Sequence, residues 1–273
     1  MIGDVRRLTV FLAAVLVVLS LAPQAKQSFS FAIVGDHTGS ALPGVYQHVW
    51  GEIDRLKPAF AINVGDSIQG GNDATAAEEW TELDPLLHRK LAFYPVPGNH
   101  DIWSPASAKI WRKVTGRPPS YSFDPGGAHI TVLDNSLTND LSAEQMRFLE
   151  SDLEAHKEAR PKLVFFHRPL WLTAVMFQNP NFPLHQLAKK YGVDAVVSGY
   201  VHRFGRWNLE GVEYLMVGSS GGQLRGERFS DGWFFHWVEA KVSEGKVQFV
   251  VHELPAPYGE GRIFAASEWA SFK

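Results

Sequence analysis

The chain has 273 residues, of which 45% are hydrophobic and 20% charged, and its formal net charge at pH 7 is -3. This composition is ordinary for a globular protein with a sizeable core, and so mild a charge gives no sign of a nucleic-acid-binding surface. The chain has no cysteine, which excludes disulfides, thiolate nucleophiles and cysteine-based zinc sites. Its eleven histidines and its carboxylates are therefore the strong metal ligands that it can offer.

The N-terminal segment has the pattern of an export signal. Arg6 and Arg7 precede an apolar run over 8–21, and small residues follow. The run is shorter than the ~20 residues that span a membrane comfortably. We therefore expect a signal peptide over 1–25, with an uncleaved anchor as the alternative and no other membrane partner. The chain would then be exported, to the periplasm or the cell exterior, and residues 26–273 would form a single domain.

After Lys26, short apolar runs alternate with stretches of helical periodicity. Ser142 is the expected N-cap of one helix, with Gln145 at the capping-box position. The runs predict strands over 29–34, 59–64, 91–96, 121–123, 129–133, 162–166 and 194–197. Helices are predicted over 46–56, 75–88, 106–114, 142–156 and 183–191, and the C-terminal part adds strands over 214–217, 233–238 and 247–253.

The order of these elements predicts an α/β fold. Alternating strands and helices favour a largely parallel sheet with helices outside it. The late run of strands favours a second, mixed sheet packed on the first. The expected architecture is two mixed β-sheets packed as a sandwich and flanked by α-helices.

Five of the predicted strands, taken in chain order, end close to residues that bind metals or transfer protons. Each signal alone is weak, because a Gly-Asp pair after a strand is usually a turn, a lone histidine is usually structural, and Asn-His-Asp could cap a helix. Five in succession are hard to reach by chance, and α/β proteins place their ligands at strand ends. The residues are Asp36, Asp66, Asn99, His100, Asp101, His167 and His202.

The order of these motifs resembles the calcineurin-like metallophosphoesterases, over about residues 29–237. The most specific part is Gly-Asn-His-Asp at 98–101. Gly-Asp-His-Thr-Gly at 35–39 is similar to the opening motif of a bacterial branch related to purple acid phosphatases. The resemblance implies a four-layer α/β/β/α sandwich and two adjacent divalent metal ions, which would be manganese, iron or zinc.

Carried over to this sequence, the resemblance assigns the metal ligands. Asp66 would bridge the two ions, because the two oxygens of a carboxylate can each reach one metal. Asp36 and His202 would hold the first ion, and Asn99 and His167 the second. A hydroxide between the ions would attack phosphorus, while both ions offset charge on the phosphoryl oxygens.

The same resemblance assigns two catalytic residues. His100 would be the general acid for the leaving alkoxide, or would stabilise the transition state. Asp101 would orient the His100 ring and raise its pKa. The alternative for Asp101 is a helix N-cap.

Two positions depart from the family pattern. Thr38 stands where the opening motif usually has a histidine or, in some branches, a residue that is not a ligand. Tyr200 stands where the usual Gly-His-x-His has its first histidine, a ligand of the second metal. Tyr200 could coordinate as a phenolate, or it could pack beside the site or hydrogen-bond substrate, and Gln69 is a possible neutral ligand. His37 and Arg168 could contact phosphate, with a loop hydrogen bond and a surface ion pair as the respective alternatives.

These motifs predict a metal-dependent phosphoester hydrolase, whose substrate is a phosphorylated small molecule or a phosphodiester. The alternative is a degenerate, metal-depleted relative that binds a phosphorylated ligand without turnover. A structural or adhesion module is a third, weaker hypothesis. Specificity would come from loops such as 68–76, 171–182 and 203–208.

Overall fold

A computed structural model describes residues 28–83, 85 and 90–270. The predicted signal or anchor segment over 1–25 lies outside the described residues. In chain order the strands are β1 (Phe29–Val34), β2 (Phe60–Asn63), β3 (Ala92–Tyr94), β4 (Tyr121–Phe123), β5 (His129–Val132), β6 (Lys162–Phe165), β7 (Ala195–Ser198), β8 (Gly205–Leu209), β9 (Val212–Met216), β10 (His236–Ser243), β11 (Lys246–Glu253) and β12 (Ile263–Ala265). The α-helices are α1 (Val45–Leu56), α2 (Ala76–Glu82), α3 (Pro105–Thr115), α4 (Ala143–Ala155), α5 (Leu172–Met176) and α6 (Pro183–Tyr191).

The strands form two six-stranded mixed sheets. Sheet 1 has the order β12-β11-β10-β1-β2-β3, in which β1, β2 and β3 are parallel and β10, β11 and β12 add antiparallel pairs. Sheet 2 has the order β4-β5-β6-β7-β9-β8, in which β5, β6, β7 and β9 are parallel and β4 and β8 pair antiparallel at the two edges.

The prediction for the late strands was wrong in one respect. β10, β11 and β12 complete sheet 1 instead of founding a second sheet. β10 pairs antiparallel with the whole of β1, from Phe29 opposite Val242 to Val34 opposite Trp237. The apolar run over 233–238 predicted the strand too early, because Phe234 and Phe235 are buried before β10 begins. Two further segments predicted as loops contain β8 and α5.

Three hydrophobic layers hold the sandwich together. Between the sheets, buried side chains of sheet 1 such as Phe31 and Ile33 pack with side chains of sheet 2 such as Phe165 and Val197. On the outer face of sheet 1, Trp50 and other residues of α1 belong to a second cluster. The third cluster covers the outer face of sheet 2.

Helices α4, α5 and α6 supply the cover of sheet 2. Leu153 of α4, Val175 of α5 and Leu184 of α6 share one buried cluster with Val164 and Val196 of the sheet. A strand whose side chains point alternately to two buried faces is almost wholly apolar. A short continuous apolar run in the sequence therefore indicates such a strand. The four layers α1, sheet 1, sheet 2 and α4–α6 confirm the predicted α/β sandwich of two mixed sheets flanked by helices.

At the start of α4, one half of the predicted capping box is present and the other is not. The Ser142 side chain accepts a hydrogen bond from the backbone N–H of Gln145 at 3.2 Å, as predicted. The Gln145 side chain does not reach back to Ser142. Its Oε1 accepts from the backbone N–H of Asp134 at 2.8 Å and so ties the helix to the loop after β5.

Among residues 28–83, 85 and 90–270, no helix is both long enough and apolar enough to cross a membrane.

His236, the first residue of β10, is fully buried and holds the loop after β9. Its Nδ1–H donates to the Phe234 carbonyl at 2.9 Å, and its Nε2 accepts from the Gly218 N–H at 3.1 Å. Because Nε2 accepts the second bond, it carries no proton and the ring is neutral. Burial therefore lowers the pKa of His236 to about 4.

We predict that His236 makes the fold sensitive to acid. Between about pH 6.5 and pH 4 the unfolded chain binds a proton at this histidine and the folded chain does not, so stability falls as pH falls. The free energy of unfolding from urea titrations should drop by about 3 kcal/mol more in the native chain than in His236→Gln between pH 7 and pH 4. Equal losses in the two chains would contradict this assignment.

Candidate metal centre

The predicted ligands lie in loops at the carboxyl ends of five strands. Asp36 and Asp66 follow β1 and β2, Asn99 follows β3, and His167 and His202 follow β6 and β7. Three of these strands belong to sheet 1 and two to sheet 2. The site therefore depends on the packing of one sheet on the other.

The side chains converge although they are far apart in sequence. His167 Nε2 lies 3.2 Å from Asp66 Oδ2 and 3.2 Å from Asn99 Oδ1. His202 Nε2 lies 4.0 Å from Asp36 Oδ1. One ligand atom each from Asp36, Asp66 and His167 lies within 4.8 Å of the others, and all three side chains are buried.

Backbone carbonyls orient both histidines for metal binding. His167 Nδ1 donates to the Val64 carbonyl at 2.7 Å, and His202 Nδ1 donates to the Gln223 carbonyl at 2.9 Å. A carbonyl oxygen only accepts, so the proton of each ring lies on Nδ1. Nε2 then faces the carboxylates, which is the arrangement of metal-binding histidines whose other nitrogen is held by a carbonyl.

The electrostatics of the site favour a cation. Burial raises the pKa of Asp36 to about 8, and the nearby charge of Asp66 adds to this increase. Burial alone would lower the pKa of His167, but the charges of Asp66 and Asp36 raise it to about 9. Two buried carboxylates this close can both be ionised only with positive charge between them. The donor set of oxygens and imidazole nitrogens suits manganese, iron or zinc.

The glycines of the motifs are required by close packing. A Cβ at Gly98 would lie 2.2 Å from Asp66 Oδ1, and a Cβ at Gly65, whose φ is +102°, would lie 2.5 Å from His167 Nδ1. Asp66, Tyr200 and His202 also have positive φ, at 56°, 73° and 62°. Such backbone strain in residues other than glycine is common at functional sites, where the surrounding structure enforces it.

Asp101 does not have the role predicted for it. Its Oδ2 accepts from the backbone N–H groups of Asp66 and Gly98, both at 2.8 Å, and its Oδ1 accepts from those of Ser67 at 2.8 Å and Ile68 at 3.3 Å. A carboxylate that is committed to four backbone donors clamps the loops after β2 and β3 together. It is a positioning residue for Asp66 and not the partner of the His100 ring.

The His100 ring has a backbone partner instead. Its Nδ1 donates to the carbonyl oxygen of Gln69. The backbone N–H of His100 donates to Asp66 Oδ1 at 3.0 Å, so the residue is fixed beside the predicted bridging carboxylate. The side chain of Gln69 accepts from the Gly39 N–H at 3.2 Å and joins the loops after β1 and β2.

Tyr200 and Thr38 line the site at the two positions that depart from the family pattern. The Tyr200 N–H donates to both oxygens of Asp36, at 3.0 and 3.1 Å. Its ring stands edge-on to His167 at 5.4 Å, and the Arg168 guanidinium lies 4.8 Å from the ring centre. With these contacts the Tyr200 ring packs beside the site, which was one of the alternatives to coordination as a phenolate. Thr38 is buried, and its Oγ1 has no hydrogen-bond partner among the described residues.

His37 has the loop hydrogen bond that was its alternative, whereas Arg168 bonds neutral loop groups and not the surface ion pair that was its alternative. His37 Nδ1 donates to the Ser67 carbonyl at 3.0 Å, and its ring stacks on Tyr46 with centroids 3.9 Å apart. Arg168 donates to Asn139 Oδ1 at 2.9 Å and to the Ser136 carbonyl at 3.1 Å.

The sequence did not identify the loop that supports Asp36. The Asp36 N–H donates to the Gly218 carbonyl at 2.9 Å, and its carbonyl accepts from the N–H groups of Ser220 at 3.0 Å and Gly222 at 3.1 Å. The glycine-rich run over 218–222 surrounds the backbone of Asp36. Its partner could not be identified, because the contact joins residues about 180 positions apart.

We predict that Asp101→Asn lowers both stability and metal affinity. The amide offers one acceptor atom, so two of the four backbone N–H groups lose their partner, at a cost of about 2–4 kcal/mol in the free energy of unfolding. Metal affinity should fall by roughly 10–100-fold, as for other groups that orient ligands. Urea unfolding and metal titration of the purified chain measure the two effects.

Asp140→Asn is the matched control, since Asp140 is exposed and should leave both quantities unchanged. If Asp101→Asn unfolds like the native chain and loses only activity, the carboxylate acts on the chemistry and the clamp is wrong.

Comparisons with known proteins place this geometry in a family. A model described as calcineurin-like phosphoesterase matches residues 29–204. Purple acid phosphatase 15 of Arabidopsis thaliana is 27% identical over 168 residues, which cover 52% of this chain and 32% of the plant protein. The chain thus spans about a third of the length of that relative.

Solved structures share the fold at low identity. A purple acid phosphatase from yellow lupin seeds superposes with a TM-score of 0.61 at 16% identity, over 92% of this chain and 54% of the lupin chain. GAP50, described as the anchor in the inner membrane complex of Plasmodium, superposes with a TM-score of 0.62 at 15% identity, over 87% of this chain and 88% of its own. Since the family model covers more than half of the 273 residues, this chain belongs to the calcineurin-like phosphoesterase family.

Proposed function

We propose that this chain is a phosphoester hydrolase whose loops hold two divalent metal ions. The observation that carries the proposal is the convergence of buried oxygen and imidazole donors from both sheets. Asp36 and His202 would hold one ion, Asn99 and His167 the other, and Asp66 would be shared. When bound, such ions neutralise charge on the phosphoryl group and activate water for attack on phosphorus.

The grouping of ligands follows the distances between them. The shortest contacts join His167 to Asn99 and to Asp66, both at 3.2 Å. His202 Nε2 lies 4.0 Å from Asp36 Oδ1, and its ring is anchored by a different loop. His167 Nδ1 lies 3.8 Å from the same oxygen, but this nitrogen is bonded to the Val64 carbonyl and is not free to bind an ion. Asp66 is assigned to both groups, because its Oδ2 lies 3.2 Å from His167 Nε2 and one of its oxygens lies within 4.8 Å of an Asp36 oxygen.

His100 would transfer the proton in this scheme. With Nδ1 bonded to the Gln69 carbonyl, Nε2 is left to face a bound ester. From there it can donate a proton to the leaving oxygen, or stabilise the negative charge that develops on it. The ring is held by a backbone carbonyl and not by Asp101, so its orientation depends on the fold of the loop after β2.

The substrate would be a phosphorylated small molecule or a phosphodiester. The phosphatase names of the plant relatives support a monoester, but these relatives are about three times as long as the matched region. The loops that would contact the remainder of the substrate follow β2 and β6.

A second candidate function is the binding of a phosphorylated ligand without turnover. Tyr200 and Thr38 favour it, because both replace residues that often bind metal in the family. A chain with this function would hold fewer than two metal ions. His100 speaks against it, because a binding protein has little need of a proton donor beside the metal ligands.

We predict that Asp66→Asn and His100→Gln separate metal binding from proton transfer. Asp66→Asn should remove bound metal and lower hydrolysis of every phosphoester by more than about a hundredfold. His100→Gln should keep its metal. It should slow an alkyl phosphate by roughly 10²–10⁴-fold and an activated aryl phosphate much less, because a good leaving group needs no acid. Elemental analysis and steady-state kinetics on both esters measure these effects.

His48→Gln serves as control, since His48 lies on α1, 3.4 Å from Glu52, and belongs to neither group of ligands. No turnover of any ester by native chain that holds two metal ions would favour the binding function. Equal slowing of alkyl and aryl esters by His100→Gln would remove its role as general acid.

We also propose that the chain is exported and that residues 26–273 form one domain. The two arginines, the apolar run over 8–21 and the small residues after it support export. Fractionation of expressing cells followed by intact-mass measurement tests this. A mature chain that begins at Lys26 outside the cytoplasm is the expected result, and full-length chain in the cytoplasm alone would contradict it.

A further inference from the structure

Four titratable side chains form a cluster outside the candidate metal centre. Asp124 lies in the turn between β4 and β5, His129 is the first residue of β5, and Asp152 and His156 lie at the C-terminal end of α4. β5 runs parallel to β6 and β7, whose carboxyl ends lead to the histidines of the candidate metal centre. The cluster is therefore at the opposite end of sheet 2 and belongs to no part of the proposed catalytic machinery.

Three of these residues direct donor atoms at one another. His129 Nδ1 lies 2.7 Å from Asp124 Oδ1, and His156 Nε2 lies 3.6 Å from Asp124 Oδ2. The two imidazole rings stack with centroids 3.9 Å apart and an interplanar angle of 13°. One ligand atom from each of Asp124, His129 and His156 lies within 4.8 Å of the other two.

The opposite nitrogen of each ring is held in place. His129 Nε2 lies 2.9 Å from Asp152 Oδ2, and this carboxylate is fixed by Thr131 Oγ1 at 2.7 Å and Ser122 Oγ at 2.8 Å. His156 Nδ1 donates to the Asp152 backbone carbonyl at 2.7 Å. An imidazole whose outer nitrogen is bonded to a carboxylate or a carbonyl is the usual arrangement of a metal-binding histidine.

The surroundings also attract positive charge. The last carbonyls of the 13-residue helix α4 carry partial negative charge at this point. Burial lowers the pKa of His129, but its hydrogen bonds to Asp152 and Asp124 outweigh burial and raise it. A proton on Nδ1 and a metal ion would thus compete for the same position. The Asp124 side chain is 54% exposed, so a cation can enter and a fourth coordination position remains open to water.

We propose that Asp124, His129 Nδ1 and His156 Nε2 form a zinc site that fastens the β4–β5 turn to the end of α4. Four ligands at Zn–N and Zn–O distances near 2.1 Å lie about 3.4 Å apart in a tetrahedron. The 3.6 Å between His156 and Asp124 fits this spacing. The 2.7 Å between His129 and Asp124 must widen, and the exposed turn that carries Asp124 allows this. His129 is the fixed ligand. Because one ion cannot lie in the planes of two stacked rings, the part-exposed His156 ring must tilt about its Nδ1 bond, and Asp124 and His156 are the adjustable ligands.

Zinc titration of the full chain tests the site without reference to activity. The native chain, stripped with chelator, should bind one more zinc ion than His156→Gln in calorimetry and elemental analysis, or bind that ion at least roughly tenfold more tightly. Zinc should also raise the Tm of Asp66→Asn, whose catalytic site is impaired, and should raise it less when His156→Gln is added. Hydrolysis by His156→Gln should equal that of the native chain.

His48→Gln is the matched control. The two side chains have the same exposure, 32% for His48 and 33% for His156, and each has a carboxylate four residues away on its helix. His48→Gln should keep the full complement of zinc, and Asp124→Asn should lose affinity as His156→Gln does. Equal zinc stoichiometry and affinity in the native chain, His156→Gln and Asp124→Asn would overturn the site.

Discussion

The structure depends on two carboxylates, Asp36 and Asp66, that are buried side by side where two parallel strands end. Charges in such a place are stable only with positive charge between them. Two imidazoles direct their Nε2 atoms at the carboxylates, and backbone carbonyls hold the opposite nitrogens. Positive charge is favoured here because the fold brings the carboxylates of Asp36 and Asp66 together at the carboxyl ends of β1 and β2.

The loops around this point are held by hydrogen bonds to their backbone N–H and C=O groups. Asp101 gathers four N–H groups from the loops after β2 and β3, and the loop over 218–222 surrounds the backbone of Asp36. Such bonds fix the positions of Asp36 and Asp66 through the backbone of their loops. They also explain why glycines crowd the site, since a Cβ at Gly98 would collide with Asp66. The positions of the Asp36 and Asp66 side chains therefore depend on hydrogen bonds to the backbone of their loops.

The sequence predicted what is local and missed what depends on distant partners. Strand ends followed by Asp36, Asp66 and His167 could be read directly, because apolar runs buried on both faces stop abruptly. The role of Asp101 could not be read, since a carboxylate beside a histidine suggests a side-chain pair, whereas backbone donors leave no trace in the sequence. The placement of β10 in sheet 1 could not be predicted either. Its pairing with β1 joins residues some 200 positions apart, and no local pattern indicates such a pairing.

A crystal structure of the metal-loaded chain, with anomalous scattering measured at the absorption edge of the bound metal, tests the central claim most directly. The account predicts two anomalous peaks close together, one bonded to Asp36 and His202 and one to Asn99 and His167, with Asp66 reaching both. A single peak, or peaks that these five side chains do not share, would contradict the account.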